Sequence, residues 1–457
     1  MKKYLVVFLS MLLVLSFSMS ASALHETSGT EYNPGMVTKK GVQIKLSGSI
    51  RTRGELKVNT LDFDSDSGDN YSAFDTRVRL KFNARAGSAT RAVVELESGS
   101  GGSDYYEWGA DIESGVKGGY KKSNSKRGSM DIRQAYAAHQ FHPTGDKNYN
   151  VGLKVGHMLL ALGNGLFYDH TKYGDDAVIV WTDLGKGEIA FSYVKFEENS
   201  STISDDANAY ILTLQYPLDN VNISADVTFF DDQDFNSAGD TDGLHFWNFG
   251  LRSHTNMSGI TLRGDVELQT GSVDNCAPLT AAGCTAGGSE QDFSGYAFLV
   301  GADYKVGDVK LTAEVAFGSG DDNPGDNDNE AFLTTVGDDQ HYTYVYEYRA
   351  KTATGEIGTG LSNTWYINVS ASTKATHKIK LKGDIYYLQA SENVSINGGE
   401  PDSDIGWEID GKFEYKIAKN LVYYVEGGYL VVGDAYDFAS ESADNTYAIR
   451  NGLVVKF

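Results

Sequence analysis

The sequence is poor in the residues and runs on which small secreted domains and helical membrane proteins depend. It contains 2 Cys and 6 Pro in 457 residues, which excludes a dense disulfide framework. Beyond residues 1–23, no run approaches the roughly 18 to 20 continuous apolar residues that a membrane-spanning helix needs. Lys and Arg number 39 against 62 Asp and Glu, and the formal net charge of −23 argues against a nucleic-acid partner.

Motifs of common enzymes and electron carriers are also missing. No CxxCH haem-attachment motif and no GxSxG nucleophile motif occurs in the sequence. The acidic runs at 62–69, 231–234 and 321–330 do not complete an EF-hand loop and are interpreted as solvated connections. We therefore expect no catalytic residues, no metal centre and no cofactor.

The first 23 residues have the pattern of a secretory signal peptide. Lys2 and Lys3 precede an apolar run, and an A-x-A cleavage pattern occupies positions 21–23. We expect cleavage before Leu24, followed by a periplasmic N-terminal segment over 24–40.

Most of the remaining sequence alternates between apolar and polar residues with a period of two. Over 42–58 the even positions are mostly apolar, whereas the odd positions carry Lys, Arg, Glu, Gln and Ser. Such alternation is typical of a half-buried strand, and about eighteen repeats with a charged second face are typical of a transmembrane β-barrel. The sequence therefore predicts an all-β fold: one antiparallel barrel over 41–457, with short periplasmic turns and long extracellular loops.

Two segments leave the strand count open. Residues 131–141 alternate poorly, and residues 341–348, HYTYVYEY, have the composition to add a hairpin.

The inward positions of the first two predicted strands are mostly basic. A barrel of this size encloses a lumen wide enough for water and solutes, so a channel is the first functional expectation. Glu55 is the single carboxylate expected on this basic wall. The predicted lumen and selectivity residues on this wall and on one later strand are Lys45, Arg51, Arg53, Lys57, Arg77, Arg79, Lys81, Arg85, Lys378, Lys380 and Lys382. The alternative interpretation is that these charges only hydrate a wide lumen.

Residues 156–170, GHMLLALGNGLFYDH, form an apolar stretch among connections that are otherwise polar. Leu159 and Leu160 are apolar on both phases of the alternation, which argues against a simple strand, and Gly163 and Gly165 permit a sharp reversal. The stretch is predicted to fold into the lumen as a constriction loop. The residues predicted near the narrowest part of the pore are Asn164, Tyr168, Asp169, His170 and Lys172.

Several segments resemble, in order, those of the alginate-export family of outer-membrane porins. They are DIRQAYAAHQF, VGLKVGHMLLALGNGLFYDH followed by DDAVIVW, GSGDDNPGDNDNEAFLTTVGDDQHY, and LSNTWYINVSAS. The resemblance implies an eighteen-stranded monomeric barrel in the outer membrane of a Gram-negative bacterium, with an electropositive conduit for an anionic polysaccharide. After Gly156 and Gly163 the chain departs from the family pattern, with His157, Met158 and Asn164, so the cargo need not be alginate.

These patterns together predict a channel that passes anionic small solutes or an anionic polysaccharide. Two alternatives stay open: a structural barrel sheath around a periplasmic partner such as a cytochrome, and a general non-selective diffusion porin. The expected partners are outer-membrane lipid, lipopolysaccharide and the anionic solute. The oligomeric state is open, with a monomer favoured.

Cys276 and Cys284 lie close together in a Gly- and Ala-rich segment of a chain predicted to be exported, so we expect a disulfide between them. Thiol labelling of the denatured, unreduced protein should therefore detect no reactive sulfhydryl, and labelling after reduction should detect both. Two reactive sulfhydryls before reduction would show that the bridge is absent.

Overall fold

The computed structural model describes residues 35–39, 41–99, 106–107, 129–141, 150–198, 206–233, 243–273, 291–323, 326–334, 342–351, 359–395 and 397–457. Within these ranges the chain forms a closed antiparallel β-barrel of 18 strands. None of the helices in the described part of the chain has the length and apolar character needed to cross a bilayer. Residues 1–23, Cys276 and Cys284 lie outside the described residues, so the signal peptide and the disulfide stay predictions.

The barrel strands are numbered here in chain order. They are β1 (Val42–Val58), β2 (Tyr71–Ala86), β3 (Thr90–Gly99), β4 (Ser129–Phe141), β5 (Val151–Met158), β6 (Asp175–Leu184), β7 (Gly187–Glu198), β8 (Asp206–Leu218), β9 (Val221–Asp232), β10 (Leu244–Met257), β11 (Ile260–Val273), β12 (Tyr296–Val306), β13 (Val309–Gly318), β14 (Thr364–Thr373), β15 (Ile379–Val394), β16 (Asp402–Ala418), β17 (Leu421–Val432) and β18 (Thr446–Lys456). Shorter strands at Gly35–Lys39, Tyr106–Glu107, Gln291–Phe293 and Asp328–Asn329 join the same sheet.

The barrel closes where the first barrel strand pairs with the last. Strand β18 runs antiparallel to β1 from the Ser49–Lys456 pair to the Val58–Tyr447 pair. Below this ladder, Gly48 and Phe457 exchange two backbone hydrogen bonds of 2.8 and 3.0 Å. The short strand Gly35–Lys39 then pairs with the beginning of β1 and extends the same edge. The seam therefore joins both ends of the sequence.

Connections alternate in length around the barrel. Turns of two or three residues at 87–89, 185–186, 219–220, 258–259, 307–308 and 419–420 lie at one end, and longer connections such as 59–70, 159–174 and 319–363 lie at the other. This is the arrangement of outer-membrane barrels, in which the short turns face the periplasm. The predicted fold class is confirmed.

Both doubtful segments have a physical explanation in the structure. Strand β4 pairs with β3 through a register shift between Glu95 and Leu96, and a bulge of this kind interrupts the two-residue alternation. The predicted hairpin at 341–348 is wrong for the described residues 342–348. They lead into a π-helical turn at Tyr346–Lys351 inside the barrel.

Large apolar side chains cover the outside of the barrel, where a lipid bilayer replaces water. Exposed aromatic rings form a belt near the end that carries the long connections, as at Tyr387 and Trp407, whose ring centroids are 4.7 Å apart, and at Tyr429 and Tyr447, at 6.4 Å. Aromatic belts of this kind mark the membrane interface. Polar and charged side chains point inward and are largely buried against one another.

Val369 on β14 tests which face meets lipid, because 58 % of its side chain is exposed on the outer face. Val369→Arg should destabilise the barrel by about 2–4 kcal/mol, since it places a cation within the apolar belt. Val369→Ile is the matched control and should leave stability unchanged. The measurement is urea unfolding in phospholipid vesicles, and equal stability of the two variants would place Val369 away from the lipid.

Candidate functional site

The connection between β5 and β6, residues 159–174, folds back into the barrel as a small hairpin. Ala161 and Asp169 form a β-bridge, and the Leu162 N–H donates to the Tyr168 carbonyl over 2.9 Å. Leu160 and Phe167 are each 1 % exposed, and the Phe167 ring lies 5.9 Å from that of Phe246 on β10. Burying each such side chain contributes roughly 1.5–3 kcal/mol. The apolar stretch therefore packs on the inner wall. We call residues 159–174 the lumen hairpin.

A buried ionic cluster on β9 to β11 holds the tip of the lumen hairpin. Arg252 is bonded to three carboxylates, those of Asp226, Asp265 and Glu267, and all four side chains are at most 5 % exposed. The Asn164 backbone N–H and side-chain amide both donate to Asp265 Oδ2, over 3.2 and 2.8 Å. Because removing one member of a buried charge cluster leaves its partners uncompensated, this anchor resists displacement.

Gly163 allows the hairpin to approach Arg252. Its backbone has φ of +55°, and a Cβ added there would lie 1.8 Å from Arg252 Nε. A side chain at this position is therefore excluded both by the left-handed backbone and by the guanidinium.

The base of the lumen hairpin is held by Asp175, the first residue of β6. The Tyr168 hydroxyl donates to Asp175 Oδ2 over 2.5 Å, and His170 Nδ1 lies 2.7 Å from Asp175 Oδ1. Burial, together with the charge of Asp175, raises the pKa of Tyr168, so the hydroxyl keeps its proton and stays a donor. Tyr168 is 2 % exposed, which makes it a residue that positions the hairpin.

The other predicted constriction residues have more contact with the lumen. Asn164 is exposed, while Asp169, His170 and Lys172 are half-buried. Asp169 accepts hydrogen bonds from the Thr171 N–H and hydroxyl over 3.0 and 2.7 Å, which closes the turn at the hairpin base. The structure brings all five predicted residues together on this one inserted segment.

A second segment, residues 342–351 of the connection between β13 and β14, also lies inside the barrel. We call it the lumen turn. Glu408 of β16 accepts the backbone N–H groups of Tyr344, Val345 and Tyr346 over 2.9, 2.5 and 2.8 Å. A carboxylate held by three successive N–H groups makes strong charge-assisted hydrogen bonds. Glu408 is fully buried and fixes the lumen turn to the wall.

The lumen turn carries an arginine toward the seam. Arg349 Nη2 lies 2.5 Å from Glu55 Oε1 of β1. Its guanidinium carbon lies 3.8 Å from the ring centroid of Tyr344 and 4.3 Å from that of Tyr348. Arg450 of β18 approaches the same two rings at 5.1 and 5.4 Å. Stacking on aromatic faces stabilises guanidinium groups and fixes their orientation.

Four arginines thus gather at the seam. We call this set the seam cluster, and its members are Arg51, Arg53, Arg349 and Arg450. Each has a carboxylate partner: Asp75 binds both Arg51 and Arg53, Glu55 binds Arg349, and Glu426 binds Arg450. The cluster has four guanidinium groups and three carboxylates.

The basic wall contains more carboxylates than the sequence predicted. Strand β2 begins at Tyr71, so Asp75 belongs to the wall, and the expectation of Glu55 as its single carboxylate was wrong. On the neighbouring strand, Glu97 binds Arg79, and Glu95 lies 3.5 Å from Lys81. The wall is therefore a network of ion pairs with basic residues in excess.

Two cross-strand pairs of like charge lie within this wall. Arg51 stands directly opposite Arg77 between β1 and β2, and Arg85 stands opposite Arg91 between β2 and β3. Like charges directly opposite each other destabilise a sheet. The wall thus concentrates positive charge at some cost in stability.

The remaining predicted lumen residues lie at separate places. Lys45 and Lys57 occupy the basic positions of β1, and Lys57 Nζ lies 5.1 Å from the Tyr71 ring centroid. On β15, Lys380 pairs with Glu414 at 3.2 Å and Lys382 with Asp384 at 2.9 Å. Lys378 lies in the turn before β15. Within the described ranges, no group of His, Cys, Asp and Glu side chains is arranged to hold a metal ion.

Gly163→Ala tests the seating of the lumen hairpin. The left-handed backbone alone costs an alanine about 1–2 kcal/mol, and the collision with Arg252 adds to this, so the hairpin should leave the wall and the conductance should change. Gly185→Ala is the matched control, because Gly185 has φ of +63° but no atom within 4 Å of the added Cβ. Single-channel recording in planar bilayers makes the comparison, and identical conductance of both variants would contradict the anchoring.

Comparison with known proteins agrees with this architecture. The sequence profile described as "Alginate export" matches residues 42–449. No curated protein matches the chain significantly. Three solved structures share the fold. They are Acinetobacter baumannii OccAB1 (11% identity, 90% of this chain and 96% of that chain, TM-score 0.57), Pseudomonas aeruginosa OccK2 (OpdF) in complex with glucuronate (9%, 91% and 98%, 0.55), and a BenF-like porin from Pseudomonas fluorescens Pf-5 (8%, 91% and 98%, 0.55).

The profile match covers almost the whole barrel, from the start of β1 into β18, and the strand pairing closes that barrel. The chain therefore belongs to the alginate export family and is an outer-membrane β-barrel of the porin type.

Proposed function

We propose that this chain is a channel for anionic solutes, small molecules or an anionic polysaccharide, in the outer membrane of a Gram-negative bacterium. The lumen hairpin and the lumen turn form its constriction, and the seam cluster with the basic wall sets its selectivity. Membrane lipid and lipopolysaccharide surround the apolar outer belt.

The observation that carries this proposal is the pair of like-charge contacts, Arg51–Arg77 and Arg85–Arg91, on inward positions. A sheet selected for stability alone would avoid guanidinium groups opposite each other. A row of such groups along a lumen gives an anion successive weak partners. Conduction needs binding that is favourable enough for entry and weak enough for release.

The carboxylates of the seam cluster fit the same function. Asp75, Glu55 and Glu426 partly neutralise the arginines that they bind. Partial neutralisation keeps each anion site shallow, which favours passage over trapping. One structure of similar fold is described in complex with glucuronate, a sugar carboxylate, which supports a carboxylated solute.

The lumen architecture favours a conduit over a structural sheath. A sheath would leave its lumen for the enclosed partner, whereas the lumen hairpin and the lumen turn occupy lumen space and are fixed to the wall by Asp265 and Glu408. The non-selective diffusion porin differs in its expected electrical behaviour, because its reversal potential would show little preference for anions.

The double variant Arg51→Gln, Arg77→Gln tests the selectivity. Asp75 keeps its bond to Arg53 in this variant, so no carboxylate loses all its partners. Each lost charge about 4 Å from a passing ion is worth about 1 kcal/mol in water-like surroundings. The ratio of anion to cation permeability should therefore fall by roughly fivefold or more, as measured by reversal potential in a salt gradient.

The matched control is Arg53→Gln combined with Asp75→Asn, which removes one positive and one negative charge together. This variant should keep the permeability ratio close to that of the wild type. A wild-type channel without anion preference, or equal ratios in the Arg51/Arg77 variant and the wild type, would contradict the proposed selectivity.

A further inference from the structure

A second basic region lies away from the seam, at the end of the barrel that carries the short turns. A cavity of about 1110 Å³ opens there between the ends of β10 to β16. Six lysines line it, and they come from five consecutive strands or their ends: Lys305, Lys310, Lys374, Lys380, Lys382 and Lys412. We call this cavity the lysine vestibule. In outer-membrane barrels this end faces the periplasm.

Carboxylates offset only part of this positive charge. Asp303, Asp308 and Glu414 line the same cavity. Lys310 lies 3.1 Å from Asp303, and Lys380 lies 3.2 Å from Glu414. The vestibule therefore has six ammonium groups and three carboxylates on its lining.

Two of the six lysines lack a carboxylate partner. In the part of the chain that the structure describes, neither Lys305 nor Lys374 is within ion-pair distance of an acidic group. Both stand at inward positions, Lys305 near the end of β12 and Lys374 just after β14. Their charges are available to a ligand that enters from the periplasmic side.

The chemistry of the vestibule differs from that of the seam cluster. Guanidinium forks bind planar carboxylates through two parallel hydrogen bonds. Ammonium groups are compact point charges that donate in any direction, which suits the tetrahedral oxygens of phosphate. The volume is also that of a site for a molecule larger than a single small ion.

We propose that the lysine vestibule is a binding site for a multiply charged phosphate anion of the diphosphate type, with Lys305 and Lys374 as its principal partners. The site deepens the proposed anion channel and rests on that function. It takes a ligand class different from the carboxylates that suit the seam cluster, and it lies on a different part of the barrel wall.

Isothermal titration of the full-length, detergent-solubilised barrel with sodium diphosphate at low salt tests the site. The variant Lys305→Ala, Lys374→Ala should bind diphosphate at least about tenfold more weakly than the wild type, since two point charges are removed. The matched control is Lys186→Ala, Lys419→Ala, which removes two lysines from short turns at the same end, outside the cavity lining. Its affinity should equal that of the wild type.

Titration with citrate separates the two anion chemistries, because citrate carries several carboxylates. Citrate should bind the vestibule more weakly than diphosphate, and its binding should change little in the Lys305/Lys374 variant. Equal loss of diphosphate binding in the test and control variants, or citrate binding as tight as that of diphosphate, would overturn the assignment.

Reversal potentials of the same preparations keep the two proposals apart. An anion-selective wild-type channel that does not bind diphosphate at the vestibule overturns this site and leaves the proposed channel standing. A wild-type channel without anion preference overturns the channel proposal itself, on which the site depends.

Discussion

The pairing of β1 with β18 is the contact on which the rest of the structure depends. Hydrocarbon offers no hydrogen-bond partners, so every backbone N–H and C=O within the membrane must be bonded inside the protein. An open sheet would expose two unpaired edges, whereas closure removes both. The ladder from Ser49–Lys456 to Val58–Tyr447 achieves this closure. It also brings Arg53 of β1 beside Gly452 and Glu55 beside Arg450, so the seam cluster is a direct product of closure.

Closure turns the inner face into a confined polar space, and carboxylates organise what enters it. Asp265 accepts two donors from Asn164 of the lumen hairpin, and Glu408 accepts three backbone donors from the lumen turn. In both cases a wall carboxylate satisfies N–H groups that would otherwise be buried without partners. The same residue type therefore balances the wall arginines and fixes the two segments that narrow the lumen.

The two-residue alternation was sufficient to predict the barrel, because each strand has one face in lipid and one in a polar lumen. It was insufficient wherever pairing is irregular. The bulge at Glu95 and Leu96 obscured β4, and the mixed start of β2 hid Asp75 from the predicted wall. These features depend on partner strands, which local sequence does not specify.

The two inserted segments differ in how visible they were in the sequence. The lumen hairpin has leucines on both phases of the alternation, a pattern that a strand does not explain. The lumen turn alternates Tyr with Val and Glu, as a strand does, yet its backbone is bonded to Glu408, which lies 62 residues from Tyr346 in the sequence. Only the closed barrel places those residues together, so no short-range pattern could have predicted the contact.

The distribution of basic residue types follows from what each place in the barrel demands. At the seam, guanidinium groups lie between aromatic rings and carboxylates, as Arg349 does between Tyr344, Tyr348 and Glu55. Such a packed environment favours the weakly hydrated, planar arginine side chain. At the periplasmic mouth, lysines such as Lys380 stay more than half exposed, and water solvates their compact charge. An anion that moves between the two regions therefore passes from hydrated ammonium groups to partly desolvated guanidinium groups. Because desolvation strengthens electrostatic interactions, discrimination among anions should arise mainly at the seam, and the mouth should act by raising their local concentration.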